Sequence, residues 1–468
     1  MGHLQRFTGS PCFVMSATSP AVETRWLGGA FKRGVLWLLF LGPFFFLSYG
    51  FANQQAALRD AAVGVASFHY AWERAIPLWP WTILPYWSID LLYGFAFLCC
   101  RDRAETKRLG LRLLSAQLIC VACFLVWPLR FAFERPPVEG VAGTLFTALT
   151  SFDLPYNQAP SLHIALLVIV WRQFAAFTEI PGVRGLIHAW ALLIAVSVLT
   201  TWQHHFIDIP TGLVAGLVCL WLWPDEGRPP ARKASDRRPA LALSYFLGAA
   251  LILAAALALG GAAVLACGWL ALSLALVAFN YAWAGAAGFQ KYGGRHSLAA
   301  RWLFLPYTGA AWVNSRLWTR GVPDPIRDGI WLGRMPTKRE FEAWARERGG
   351  DVALFDLCAE LPAPVLPAGA AYDGLSCLDL VSVPASALAE AARRLDALRG
   401  AGREVWVACA LGYSRSAAVV AAWLLRTGKA ADLPQAVALL RKARPQVALG
   451  AKSLARLEEF TAFSRGAP

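Results

Sequence analysis

Apolar residues along this chain come mainly in long, nearly unbroken runs. Stretches near 34–52, 78–100, 109–128, 161–178, 185–202, 206–223, 240–260 and 262–284 each approach the ~20 apolar residues that a helix needs to cross a bilayer's hydrocarbon core. A polar, Pro-rich stretch, DEGRPPARKASDRRP (225–239), separates the sixth run from the seventh. After about residue 320 the runs shorten and charged residues mix in, as in a soluble domain. The pattern therefore predicts an N-terminal tail (1–32), a six-span block (33–224), a linker (225–239), two connector spans (240–284) and an interfacial segment (285–320). In that last segment Trp and Leu alternate with Arg301, Arg316 and Arg320. A soluble domain (321–468) follows.

Composition strengthens this reading. The 468 residues are 57% hydrophobic and include 21 Trp, with a mean hydropathy of +0.46. The net charge of +14 raises the question of nucleic acid, but positive-inside topology accounts for the basic loops without it. Arg25, Lys32 and Arg33 precede the first run. Arg101, Arg103, Lys107 and Arg108 follow the second, Arg172 and Arg184 flank the turn between the fourth and fifth, and Arg228, Arg232, Lys233, Arg237 and Arg238 follow the sixth. These sides are assigned to the cytoplasm. The loop at 53–77, where Arg59 and Arg74 balance Asp60 and Glu73, is assigned to the outer face. An even number of spans then leaves the C-terminal domain in the cytoplasm, and the Ala- and Arg-rich chain points to a bacterial inner membrane. The first run is long for a cleaved signal peptide, despite small residues at Gly50 and Ala52, so it reads as an anchor. Cys120 and Cys123 form a C-x-x-C without further Cys or His partners, and no zinc site or disulfide framework is expected.

Two groups of residues carry chemistry. In VWVACALGYSRSAA (405–418) a strand-like run ends at Cys409, Arg415 follows six residues on, and a helix is predicted from Ser416 to Leu425. Backbone N–H groups of Gly412, Tyr413 and Ser414, a helix N-terminus and the Arg415 fork suit a phosphate's oxygens, and the same field favours Cys409 as a thiolate nucleophile. Ser416 is placed to assist release of that thiolate. A leaving alkoxide needs a proton, and Asp379 in SCLDLVSVPAS is the candidate donor. Here the sequence resembles the dual-specificity protein phosphatases over about 320–468, which implies an α/β cysteine-phosphatase fold. DGIWLGRMPT (328–337) and VALFDLCAELP (352–362) look like two of that family's strands. Ala408 stands where the family usually has His.

Inside the apolar block, polar side chains are costly and mark function. FERPP (133–137), APSLH (159–163) and TWQHHFID (201–208) all fall on the face assigned as outer. Arg135 suits a phosphate clamp, Ser161 a hydrogen-bond donor and His163 a general acid. His204 and Asp208 are expected at i and i+4 on one helix face, the carboxylate fixing the imidazole that attacks phosphorus. His205 is the alternative if the helix is rotated. Over about 75–225 this resembles the type 2 phosphatidic acid phosphatase superfamily, with its RP, PS-x-H and S-R-x5-H-x3-D motifs. The PSLH form is similar to the inositol phosphorylceramide synthase-like branch, so headgroup transfer stands beside hydrolysis. Pro128 and Val198 replace the family's Lys and Arg, and Arg130 is a candidate to supply one of those charges. Together the resemblances imply a fusion of two phosphate-ester enzymes acting in phospholipid metabolism, with no cofactor required. A membrane-anchored protein tyrosine/serine phosphatase is the alternative.

Overall fold

The computed structural model describes residues 29–465 apart from 236 and 320. The tail to residue 28, with Arg25, and the interfacial Arg320 lie outside the described residues. The described residues divide into two compact units, one within 29–67, 77–158 and 169–203, the other within 68–76, 159–168 and 204–465.

Nine α-helices lead the described chain, with short 3-10 turns between some of them: α1 (Gly29–Val63), α2 (Ile83–Ala96), α3 (Arg103–Val126), α4 (Gly140–Thr150), α5 (Leu162–Phe177), α6 (Pro181–Thr200), α7 (Asp208–Leu222), α8 (Pro239–Leu259) and α9 (Ala263–Phe279). Among the described residues, six helical segments are long and apolar enough to cross a membrane. The fourth and sixth expected spans form α5 and α7, only 16 and 15 residues long. At 1.5 Å per residue these reach roughly 22–24 Å, short of a ~30 Å core. Each falls within a residue or two of its apolar run, so the runs themselves were short. Two further departures concern boundaries. Helix α1 runs on to Val63 where a loop was expected from 53, because Asn53 and Ala56 stay buried in helical register. The apolar helix α4 was not anticipated, its 11 residues being too few to register as a span.

After α9 the chain forms a short hairpin, β1 (Lys291–Tyr292) with β2 (Arg295–His296), then α10 (Leu298–Leu303) and α11 (Leu305–Trp318). Trp302, Trp312, Leu317 and Trp318 are exposed on these helices, whereas Ala299, Leu303 and Phe304 are buried. The remainder is β3 (Asp324–Arg327), β4 (Ile330–Arg334), α12 (Lys338–Arg346), β5 (Val352–Cys358), β6 (Ala371–Cys377), α13 (Ala385–Gly400), β7 (Glu404–Cys409), α14 (Arg415–Arg426), α15 (Leu433–Ala443) and α16 (Ala451–Arg465). The sheet order is β3-β4-β7-β5-β6, parallel except for the β3–β4 edge. Parallel strands covered on both faces read as continuous apolar runs, and all seven residues of β5 are buried. Helices α13 to α16 pack on one face around Trp423 and Val407. On the other face α12 is started by a Thr337–Glu340 capping box and packs Phe341 and Trp344 onto Trp406. The central strand β7 thus ends at Cys409, at the carboxyl edge where ligands of open α/β sheets bind.

Candidate active site

The turn from β7 into α14 wraps around Cys409, which is 3% exposed. Its Sγ lies 3.2 Å from the backbone nitrogen of Gly412 and 3.2 Å from Ser416 Oγ, both as donors. The loop's carbonyls are occupied from outside. Met335 N donates to Cys409 O at 2.7 Å and Ala448 N to Tyr413 O at 3.0 Å, while Arg444 donates to Leu411 O at 3.1 Å and Gly412 O at 3.0 Å. A peptide's N–H points opposite its carbonyl, so carbonyls turned outward aim the following N–H groups toward Cys409, an anion-binding concavity. Gly412 is required there. Its φ is +74°, and a Cβ would lie 2.4 Å from the Gly333 carbonyl carbon.

Arg415 is buried at the start of α14. Its Nη1 and Nη2 lie 2.9 and 2.6 Å from the two Glu360 oxygens, a bidentate fork. Nη1 also donates to Cys377 O at 2.8 Å, and Nη2 sits 3.0 Å from Asp379 Oδ1. Its buried Nε–H has no protein partner among the described residues, which leaves that donor for a phosphate oxygen. Burial is the largest single influence on the Glu360 carboxylate and works against it, but the Arg415 charge and the hydrogen bonds it accepts together outweigh burial and hold the carboxyl below its usual range. Burial pushes the nearby Cys358 thiol well up, so it is a poor nucleophile. Tyr413 donates its hydroxyl to Trp318 O at 2.6 Å, tying the loop to the end of α11.

This stretch has recognisable relatives. Residues 379–462 match the dual specificity phosphatase catalytic domain. That span includes Asp379, Cys409, Arg415 and Ser416. Solved structures that are similar include human DUSP28 (23% identity, 30% of this chain and 97% of that one, TM-score 0.27) and a mouse putative dual specificity phosphatase complexed with zinc tungstate (23%, 31% and 89%, 0.27). PTPMT1 in complex with PI(5)P is another (19%, 32% and 99%, 0.26). No curated protein matches the chain.

The second cluster lies around His204. Helix α7 begins only at Asp208, so His204 and Asp208 do not share a helix face; His204 sits in the preceding turn. The contact forms because Asp208, as the first helical residue, folds its carboxylate back over that turn. Oδ2 lies 3.0 Å from His204 Nδ1 and accepts from His205 N at 3.0 Å. With Nδ1–H given to the carboxylate, Nε2 carries the lone pair and accepts from Ser161 Oγ at 3.2 Å. Gly212 and Gly216 bring α7 against the start of α5, where Cβ atoms would lie 2.6 Å from Ser161 O and 2.7 Å from Val168 Cβ. His163 stands on that first turn of α5. His205 pairs with Glu73 instead, Nδ1 to Oε2 at 2.9 Å, and Glu73 also accepts from Phe206 N at 3.0 Å.

Arg135 and Arg130 belong to the first unit. Arg135 donates to Thr201 O at 3.0 Å and Trp202 O at 3.1 Å, with its guanidinium over Phe146. Arg130, half exposed, pairs with Asp60 at 3.2 Å. Three functional contacts escaped sequence reading: Glu360, Arg444 and Glu73. An acid after a buried strand was a signal for Glu360, and an acid close to an apolar block was one for Glu73. Arg444 carries no such signal.

Proposed function

We propose that this protein is a membrane-embedded enzyme of phosphate esters with two sites. The Cys409 site, in the cytoplasm, is a phosphatase for monoesters. Sγ attacks phosphorus while Asp379 protonates the departing oxygen, giving a cysteinyl phosphate. Water then hydrolyses that intermediate with Asp379 as base, and Ser416 donates to the leaving sulfur. The observation that carries this reading is the loop whose N–H groups surround Cys409 with Arg415 beside it. The substrate class we infer is a lipid phosphate. It is supported by exposed Leu317 and Trp318 next to the loop, and by the absence of cations at Ala410, Leu411, Gly412 and Tyr413, which disfavours polyphosphorylated headgroups. The His204 site, on the outer face, acts through phosphohistidine as a lipid phosphatase or headgroup transferase. His204 is the nucleophile held by Asp208, His163 the acid, and Ser161 a donor. Basic loops after the second, fourth and sixth expected spans support this orientation in a bacterial inner membrane, with α5 and α7 crossing as short spans over a locally thinned bilayer.

The test uses full-length protein in detergent carrying His204→Ala, assayed on phosphatidyl monoesters in vesicles and on phosphotyrosine and phosphoserine peptides. Adding Cys409→Ser abolishes turnover on the preferred substrate while orthovanadate binding persists. Undiminished turnover would remove Cys409 as nucleophile, and preference for the peptides would replace the lipid by a phosphoprotein.

A further inference from the structure

The acid loop of the phosphatase is held by residues that the phosphatase fold itself does not supply. Residues 378–384 connect β6 to α13. Leu378 and Val383 are buried and anchor the loop's ends. Between them Leu380 adopts a φ of +56°, a left-handed conformation uncommon for a branched side chain. Its side chain is 61% exposed, so packing does not compensate for that strain. Backbone strain at a working loop persists only where surrounding contacts over-determine it. Among the described residues, the hydrogen bonds to the 379–382 backbone come from the helical hairpin α8–α9. The Tyr281 hydroxyl donates to Asp379 O at 3.0 Å, and Arg238 donates from Nη1 to Leu380 O.

Both donors sit at the open end of that hairpin, Arg238 just before α8 and Tyr281 just after α9. They are joined to each other, since Arg238 N donates to Tyr281 O at 2.8 Å. Tyr281 is 1% exposed and stacks on Tyr245 of α8 at 5.5 Å, which fixes its hydroxyl. The contact continues beside the loop. Lys291 Nζ, buried, lies 2.5 Å from Asp356 Oδ2 and also donates to Cys358 O at 2.6 Å and Leu361 O at 2.5 Å. His296 Nε2 donates to Ala359 O at 2.9 Å. These bonds secure the backbone on both sides of Glu360, the partner of Arg415.

We propose that the α8–α9 hairpin positions the phosphatase's general acid, with Tyr281 and Arg238 holding consecutive carbonyls so that the Asp379 carboxyl group stays beside the Cys409 loop, next to Arg415. They are positioning residues, since neither is placed on the phosphate or the leaving group. This inference rests on the reading of Asp379 as the acid. It makes the hairpin a working part of the cytoplasmic site, and a displacement of its open end alters proton donation before it alters phosphate binding.

The experiment uses full-length protein in detergent in a His204→Ala background, with two substrates: p-nitrophenyl phosphate, whose leaving group departs without help, and an alkyl phosphate, whose leaving group needs a proton. The variants are Tyr281→Phe with Arg238→Met, Arg238→Lys alone, and Asp379→Asn. A positioned acid contributes about 10²–10⁴-fold on a poor leaving group. The Tyr281→Phe/Arg238→Met pair is expected to lose about tenfold or more of kcat on the alkyl phosphate. It should stay within about twofold on p-nitrophenyl phosphate, with KM unchanged on both. In an Asp379→Asn background the pair adds no further loss, and Arg238→Lys retains part of the alkyl activity. Equal losses on both substrates, or additive losses with Asp379→Asn, would reduce the contact to packing and overturn the proposal. If Asp379→Asn is selective for the alkyl phosphate and the pair is not, the acid stands and the positioning fails. If Asp379→Asn is itself unselective, the acid assignment fails and the proposal with it.

Discussion

Replacing Glu360 by Gln removes one partner of the charge pair that holds the phosphatase arginine. The two side chains are 3% and 2% exposed, so the Arg415 charge left behind has little water to turn to. Removing one member of a buried pair costs about 3–5 kcal/mol. Gln keeps one acceptor oxygen and Asp379 remains 3.0 Å away, which places this case near the lower end, about 3 kcal/mol. The pH dependence has a definite sign. The folded carboxyl is held below its ordinary value of 4.5, so its contribution is complete above that value and is lost as pH falls through the folded value. The Gln side chain does not titrate. The stability gap between wild type and Glu360→Gln is therefore widest at neutral pH and narrows below about pH 4.5. Pulse proteolysis in urea reads this for the C-terminal domain within the full-length protein, with fragments detected by a C-terminal tag. A gap under about 1 kcal/mol at pH 7, where breaking a buried pair should cost several, would refute the reasoning. So would a gap that stays constant down to pH 4.

Three further outcomes are expected. Gly412→Ala forces a side chain into a left-handed position 2.4 Å from backbone, so it should abolish orthovanadate binding as well as turnover, as seen by isothermal titration. Arg444→Met frees the Leu411 and Gly412 carbonyls, and charge-assisted hydrogen bonds are worth about 1.5–3 kcal/mol each, so KM for monoesters should rise at least about tenfold. In a Cys409→Ser background, His204→Ala should remove the residual lipid-phosphate activity measured in vesicles, whereas His205→Ala should retain a measurable part, because His205 leans on Glu73 rather than Asp208.

Much of the C-terminal architecture was legible because its signals are local. An apolar run, a small-residue loop and a resumed apolar run at 404–426 can scarcely be anything but strand, turn and helix, and C-x5-R within that frame placed Cys409, Arg415 and Ser416 on one loop. Most helices of the apolar block were equally local signals, α4 being too short to register, but helix ends were not. Asp208 begins α7 because its carboxylate serves the turn before it, and α1 continues past residue 53 because a tertiary contact buries Asn53. Composition changes near residue 320, yet Lys291 and His296 from before that point reach the strand and loop at 356–361.

What depends on neighbours along the chain was legible in the sequence: most of the apolar helices, the strand that ends at Cys409, the small-residue loop after it and the helix that carries Arg415. Tertiary structure alone decided which distant groups those residues meet. Glu360 reaches Arg415 across 55 positions, Glu73 reaches His205 across 132, and Tyr281 reaches the carbonyl of Asp379 across 98. A charge or a backbone carbonyl, once buried, must find a partner wherever packing brings one, and no spacing rule in the chain records that choice.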